Sequence, residues 1–220
     1  MSSIDFIGLN NIVVKDIDSD TNTISFKQEA VYPFVSNGDG IKIGAGQDWH
    51  NIIGAGGPTD NNLFFAFWYK KIVDSTDAST AHQRILEFVN SSGDSIISID
   101  NKSNNTFNII ADHATTSGSY TSNRSIDTDI WFLILIKFAP NTTTAPELSY
   151  RAYIEGTTTG RVDSAITTNS TPSGALKSMA SNTNPALLGG NSTYPLRGFI
   201  SQLAIFRSTD TIGNLFDEIY

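Results

Sequence analysis

The sequence predicts an all-β protein, a two-sheet antiparallel jelly-roll sandwich with a short C-terminal helix, and three observations carry that reading. Apolar runs of strand length recur along the chain between clusters of Gly, Asn, Asp and Ser, the spacing of sandwiches and barrels. Helical periodicity is weak until residues 210–220, where Ile212, Leu215, Phe216 and Ile219 fall at near-helical spacing. The length of 220 residues suits one all-β domain, and a chain of this size buries roughly 70% of its unfolded surface without a covalent staple. The expected organisation is a single domain, with residues 1–28 as an N-terminal arm or edge hairpin and residues 29–220 as the sandwich.

Taken in order, residues 4–7 and 12–14 are short apolar pieces flanking 8–11, as in an edge hairpin or a docked arm. Residues 15–22, KDIDSDTN, read as a turn before a strand at 23–27, because Asp, Ser, Thr and Asn side chains bond nearby backbone groups. Residues 30–35 alternate but contain Pro33, which places them at a strand end or a sheet edge. SNGDG at 36–40 is a turn signal ahead of the alternating Ile41, Lys42 and Ile43. A Gly-rich loop at 44–62 follows, then a long buried strand at 63–73, LFFAFWYKKIV. Strands at 84–89, 95–100 and 107–111 come next, with 90–94 and 101–105 as turns.

The second half repeats this logic with strands at 130–138, 148–154, 161–166, 186–188 and 199–206. Residues 167–184 read as a polar loop of small residues that covers one sheet or reaches outward. The runs at 186–188 and 199–206, joined by a Gly/Asn/Ser/Thr loop and re-entered through Gly198, read as a hairpin. Trp68 and Trp131 lie inside apolar strands and are expected in the core.

Composition bounds the partners. Cysteine is absent, which excludes disulfides, thiolate metal sites and cysteine nucleophiles together. With 39% hydrophobic and 16% charged residues, the polar remainder is mostly Ser, Thr, Asn and Gly, a hydrogen-bonding surface suited to sugars or neighbouring subunits. A net charge of -8, spread without blocks of like charge, repels phosphate backbones and argues against nucleic acid. The longest apolar run, 130–136, is far below the ~18 residues of a spanning helix, so membrane insertion is not expected. Residues 1–10 lack the basic start and apolar stretch of a secretory signal.

Several motifs in order resemble the laminin G-like and concanavalin A-like lectin/glucanase sandwiches. Phe26 followed by Asn37-Gly38-Asp39-Gly40-Ile41 resembles the family's early Gly-Asp turn, and Phe65-Ala66-Phe67-Trp68-Tyr69 its aromatic-x-Trp strand. Asp129-Ile130-Trp131-Phe132-Leu133 resembles the strand that opens the central hairpin, and Tyr153-Ile154-Glu155-Gly156 its turn. Leu188-Gly189-Gly190 and Gly198-Phe199-Ile200 resemble the closing hairpin, so the likeness covers about residues 25–207. It implies a jelly-roll sandwich and a lectin-like role. Ser201 and Gln202 stand where many members carry an acidic pair, and a neutral pair does not provide the hard oxygens calcium prefers.

Candidate sites are few. Asp16, Asp18 and Asp20 start like an EF-hand loop, but Thr21 and Lys27 replace its Gly and bidentate Glu. Either this is a plain turn or it is a surface cation site, the one place where calcium enters as a cofactor candidate. In GAGQDWHN, Trp49 and His50, with Asp48 and Asn51, form a stacking platform for a sugar ring, or else Trp49 tucks into the end of the sandwich. Tyr120, Asn123, Arg124 and Tyr194 are expected in other loops, which could meet it at one end of the sandwich, a convergence the sequence does not show. Catalysis has little support, because no strand carries the E-x-D-x-x-E carboxylates of glycan hydrolases on this sandwich. Asp217 and Glu218 fall in the expected helix, and His50, His82 and His113 are scattered outside any hydrolase motif.

Two roles are consistent with these residues. One is a non-catalytic component of a virus or phage particle surface, a capsid decoration or tail/fibre protein that contacts other virion or coat subunits, assembles as a homo-oligomer or part of a larger structure, and serves attachment. The other is a free glycan-binding, lectin-like module at an extracellular surface.

Overall fold

The structure, a computed structural model, describes residues 13–14, 32–34, 40–43, 62–72, 82–139, 142, 144–154, 157–177, 184–190 and 193–219. Asp16, Asp18, Asp20, Asp48, Trp49, His50 and Asn51 lie outside the described residues. The described strands form two sheets. The first holds β1 (Val13–Val14), β2 (Tyr32–Phe34), β4 (Asn62–Lys71), β9 (Trp131–Phe138), β10 (Glu147–Ile154), β11 (Thr157–Thr158), β12 (Val162–Ser164) and β15 (Gly198–Ser208). The second runs in the order β13 (Ile166–Ser170), β8 (Gly118–Ser125), β7 (Thr106–Ala111), β6 (Ser95–Asn101), β5 (Gln83–Val89), β14 (Ala186–Leu188) and β3 (Ile41–Ile43). All described pairs are antiparallel except β1 with β15. One helix, α1 (Ile212–Ile219), follows the last strand. No helix among the described residues is long and apolar enough to cross a membrane.

Alternation sets the two faces of the first sheet. On β4, Leu63, Phe65, Phe67 and Tyr69 enter the core between the sheets, while Phe64, Ala66 and Trp68 face away from it. On β9, Ile134 and Ile136 point in and Leu133 and Leu135 point out. The outward residues are nevertheless buried, because Ile212, Leu215 and Phe216 of α1 pack over them and Phe206. Strands apolar on both faces must be covered on both, and the terminal helix supplies the second cover.

Central strand β15 changes face partway. Ile200 points into the core, but so do Leu203 and Ile205, which a regular two-residue period does not allow. The extra residue is accommodated in a bulge. Ser201 pairs with Trp68 and Ala204 with Ala66, so two residues oppose Phe67, and Gln202 takes a positive φ of 52°.

Three expectations are corrected here. The runs 186–188 and 199–206 do not form a hairpin, since β14 pairs with β3 and β5 in one sheet and β15 with β4 and β2 in the other. Residues between them cross the sandwich, and Gly190 makes the crossing possible: at φ 85° any Cβ would stand 2.2 Å from the Tyr194 carbonyl oxygen. Segments 118–125 and 166–170 are strands β8 and β13 rather than loops. Trp68 and Trp131 are half-buried on the outer side of the first sheet, with Trp131 6.1 Å from the Phe199 ring, because their neighbours Phe67 and Phe132 occupy the inward positions. Pro33, by contrast, lies on edge strand β2 as its missing N–H requires.

Candidate functional site

The outer faces of the two sheets differ in chemistry. The first is apolar under α1, whereas the second carries an aligned row of polar side chains. Register pairs join Thr167 of β13 to Thr121 of β8, Thr121 to Asn108 of β7, Asn108 to Asp100 of β6, and Asp100 to Arg84 of β5. The sequence neighbours Tyr120, Ile109 and Ile99 turn into the core, so alternation places the row on the opposite face. A second row beside it contains Ser170, Ser119, Ile110, Ser98 and Glu87.

The face has two parts. Towards β5 it is buried and charged. Asp100 is fully buried, with Oδ1 accepting from Arg84 Nε at 2.8 Å and Oδ2 lying 2.9 Å from His82 Nε2. Arg84 Nη1 donates to Glu87 Oε1, and its guanidinium carbon stands 5.0 Å from the centre of the Tyr194 ring. That ring is also 4.5 Å from the His82 ring. Burial pushes the Asp100 carboxyl up, but hydrogen bonds and charge from His82 and Arg84 outweigh it and hold the group below the ordinary aspartate range. Burial likewise opposes the charge on Arg84, and Asp100 with Glu87 more than restores it.

Towards β13 the face is open and uncharged. Asn169 Nδ2 donates to Thr121 Oγ1 at 2.8 Å, Thr121 Oγ1 donates to Asn108 Oδ1 at 3.4 Å, and Thr167 Oγ1 donates to Asn123 Oδ1 at 2.6 Å. Thr167, Asn169 and Asn123 are exposed, and Thr121 and Ser119 half-buried. Each hydroxyl and amide retains lone pairs or N–H groups beyond those bonds.

The residues named from the sequence separate in space. Tyr194 lies on the charged part of this face and Asn123 on the neutral part. Tyr120 is on β8 with its side chain in the core, 1% exposed, where burial raises its phenol pKa, so it is removed from the surface. Arg124 follows the inward phase of β8 and reaches the Tyr150 hydroxyl of the other sheet. The sequence reading missed Thr121, Asn108, Asp100, Arg84, Thr167 and Asn169. Their signal was present as alternation of Ser or Thr with Gly118, Tyr120 and Ser122, a strand pattern in which hydroxyls stand for the outward positions. The described residues contain no cluster of three or more metal-ligating side chains.

No protein-family model matches the chain, and no curated protein sequence matches it. Solved structures do. A carbohydrate-binding module, CBM40, of the Ruminococcus gnavus IT-sialidase bound to α2,3-sialyllactose is 12% identical, with a TM-score of 0.53 over 87% of this chain and 96% of that one. The same module bound to α2,6-sialyllactose is 12% identical at a TM-score of 0.53, over 88% and 98%. The LG1-3 region of the laminin α2 chain is 12% identical at a TM-score of 0.51, over 82% of this chain and 32% of that one. These likenesses show the fold, a β-sandwich of the lectin-like kind.

Proposed function

We propose that this chain is a non-catalytic, lectin-like recognition module that binds glycans on the outer face of its seven-stranded sheet. The observation that carries the reading is the open polar group of Thr167, Asn169, Thr121 and Asn123 on β13 and β8, which the buried Asn108, Asp100 and Arg84 continue inward across the sheet. A pleated sheet spaces such groups about 4.8 Å apart between strands, so a ligand lying across the strands meets polar groups at regular intervals. Domains of this fold in R. gnavus hold sialyllactose, which supports the ligand class. Asp100 and Glu87 are both engaged by Arg84 and so are poorly placed as a free acid and base. Trp49, with Asp48, His50 and Asn51, is proposed to add a stacking ring, and Tyr194 a second aromatic contact. Asp16, Asp18 and Asp20 are proposed as a calcium site, tested by the rise in melting temperature that binding to the folded state requires.

A glycan array probed with the full chain tests the reading. Binding to a defined set of glycans, weakened by Trp49→Ala, is expected; absence of binding to every printed glycan overturns it.

A second reading, a particle-surface component built from repeated copies, draws on one observation. Tyr153 and Ile154, 42% and 47% exposed, place apolar surface at the end of β10, where a neighbouring subunit would cover it. Light scattering on the purified chain distinguishes the two: a homo-oligomer supports particle assembly, and a monomer that binds a sugar supports the free module.

A further inference from the structure

The charges on the polar face allow the ligand class to be narrowed, on the premise that this face is the glycan site. We infer that it takes neutral glycans and discriminates against acidic ones, the sialylated and sulfated sugars. Recognition of a carboxylate or sulfate needs a cationic fork that can be presented to the ligand. Arg84 is buried, and its donors are directed at Asp100 and Glu87. Arg84 and His82 both already face the carboxylates of Asp100 and Glu87, so an added anion would have to compete with two carboxylates for them. Arg124 lies on the same strand as Thr121, but its side chain follows the inward phase towards Tyr150 and leaves the outer face. Lys42 is on this face at β3, six strand spacings from β13, about 28 Å away at ordinary sheet spacing. Beyond contact distance the net charge of -8 acts in the same direction.

What the accessible part offers is neutral hydroxyl and amide groups. Thr121, Asn123, Thr167 and Asn169 present donors and acceptors in pairs that are already hydrogen-bonded to one another. Such pairs are oriented before binding, which lowers the ordering cost for a ligand that has both donors and acceptors. A sugar hydroxyl is both, whereas an anion is an acceptor only and leaves the amide and hydroxyl oxygens facing it unsatisfied.

The test prints neutral β-galactosides, β-glucosides and mannosides, each beside its sialylated or sulfated form, and probes them with the full chain at low and at physiological salt. The expected result is retention on a neutral glycan and at least fivefold weaker retention on its acidic form, the difference shrinking as salt screens the charges. Thr121→Ala and Asn169→Ala should each weaken the neutral interaction about tenfold, the loss of roughly one well-placed hydrogen bond, with the melting temperature unchanged. Tighter binding of an acidic form overturns the inference and leaves the glycan reading standing. Undiminished binding by both variants overturns it as well, by placing the site elsewhere. Absence of binding to every glycan overturns the underlying reading with it.

Discussion

Lys71 Nζ donates to Asn101 Oδ1 at 2.8 Å, joining the last residue of β4 in one sheet to the last residue of β6 in the other. Both residues are fully buried, and Asn105 also accepts from the same amine. A charged group held between sheets is costly to desolvate and depends on its acceptors. Asn101→Leu should therefore lower unfolding stability by about 2–3 kcal/mol, read as a lower urea midpoint at unchanged slope. Lys71→Met in the same chain should recover part of that loss, since no buried ammonium is left without its acceptor, while the Asn105 side chain and the Asn105 and Thr106 carbonyls still lose donors.

The Asp100 carboxyl sets an acid limit on stability. Its folded-state pKa is depressed, so its ion pairs contribute fully above the unfolded aspartate value of about 4 and are lost as pH falls through the lower folded value. A melting-temperature profile should fall through the acid range below pH ~4. In Asp100→Asn the profile should start lower at neutral pH, by about 3 kcal/mol of stability, and flatten in acid.

Gln202 occupies the left-handed region at φ 52°. Gln202→Gly should raise stability by about 1 kcal/mol, and Gln202→Val should lower it by about 1–2 kcal/mol, both measurable by thermal denaturation. Deleting Gln202 removes the bulge, leaving Leu203 alone opposite Phe67 with Ile200, Leu203 and Ile205 still facing the core, and the expected outcome is a cooperative unfolding transition that is retained.

Phe216 seals the outer face of the first sheet with no exposed surface of its own. Phe216→Ala should cost about 3–4 kcal/mol and uncover the stacked Phe64 and Phe206 rings, whose centres are 5.3 Å apart. Increased fluorescence of a dye that binds exposed apolar surface is the accompanying readout.

How far the sequence revealed this molecule depended on the chemistry of each strand. Runs such as 63–71 and 131–138 were legible because apolar side chains on both faces leave a continuous signal. Strands β8 and β13 were not, since Ser, Thr and Asn serve equally in turns and on the polar side of a sheet, and only pairing with β7 shows which. The candidate site was lost with them, because it is built on those strands. Arg84 and Asp100 were visible as residues but not as partners, being sixteen positions apart and joined only by the register of β5 and β6. The bulge at Gln202 was hidden for a related reason: a face change inside a wholly buried strand alters no hydrophobic pattern.

The place of β15 bears on how the protein is made. It lies between β4 and the β1 and β2 edge strands, and it is the last of the described strands. During synthesis the first sheet lacks its middle until residue 208 has left the ribosome, and pairing then spans more than a hundred residues back to β4. Long-range pairing of this kind is slow, on the order of milliseconds to seconds. Until it completes, the open edge of β4 is available to other chains. Yield in a cell should respond to synthesis rate and chaperone supply more than to the stability of the finished sandwich.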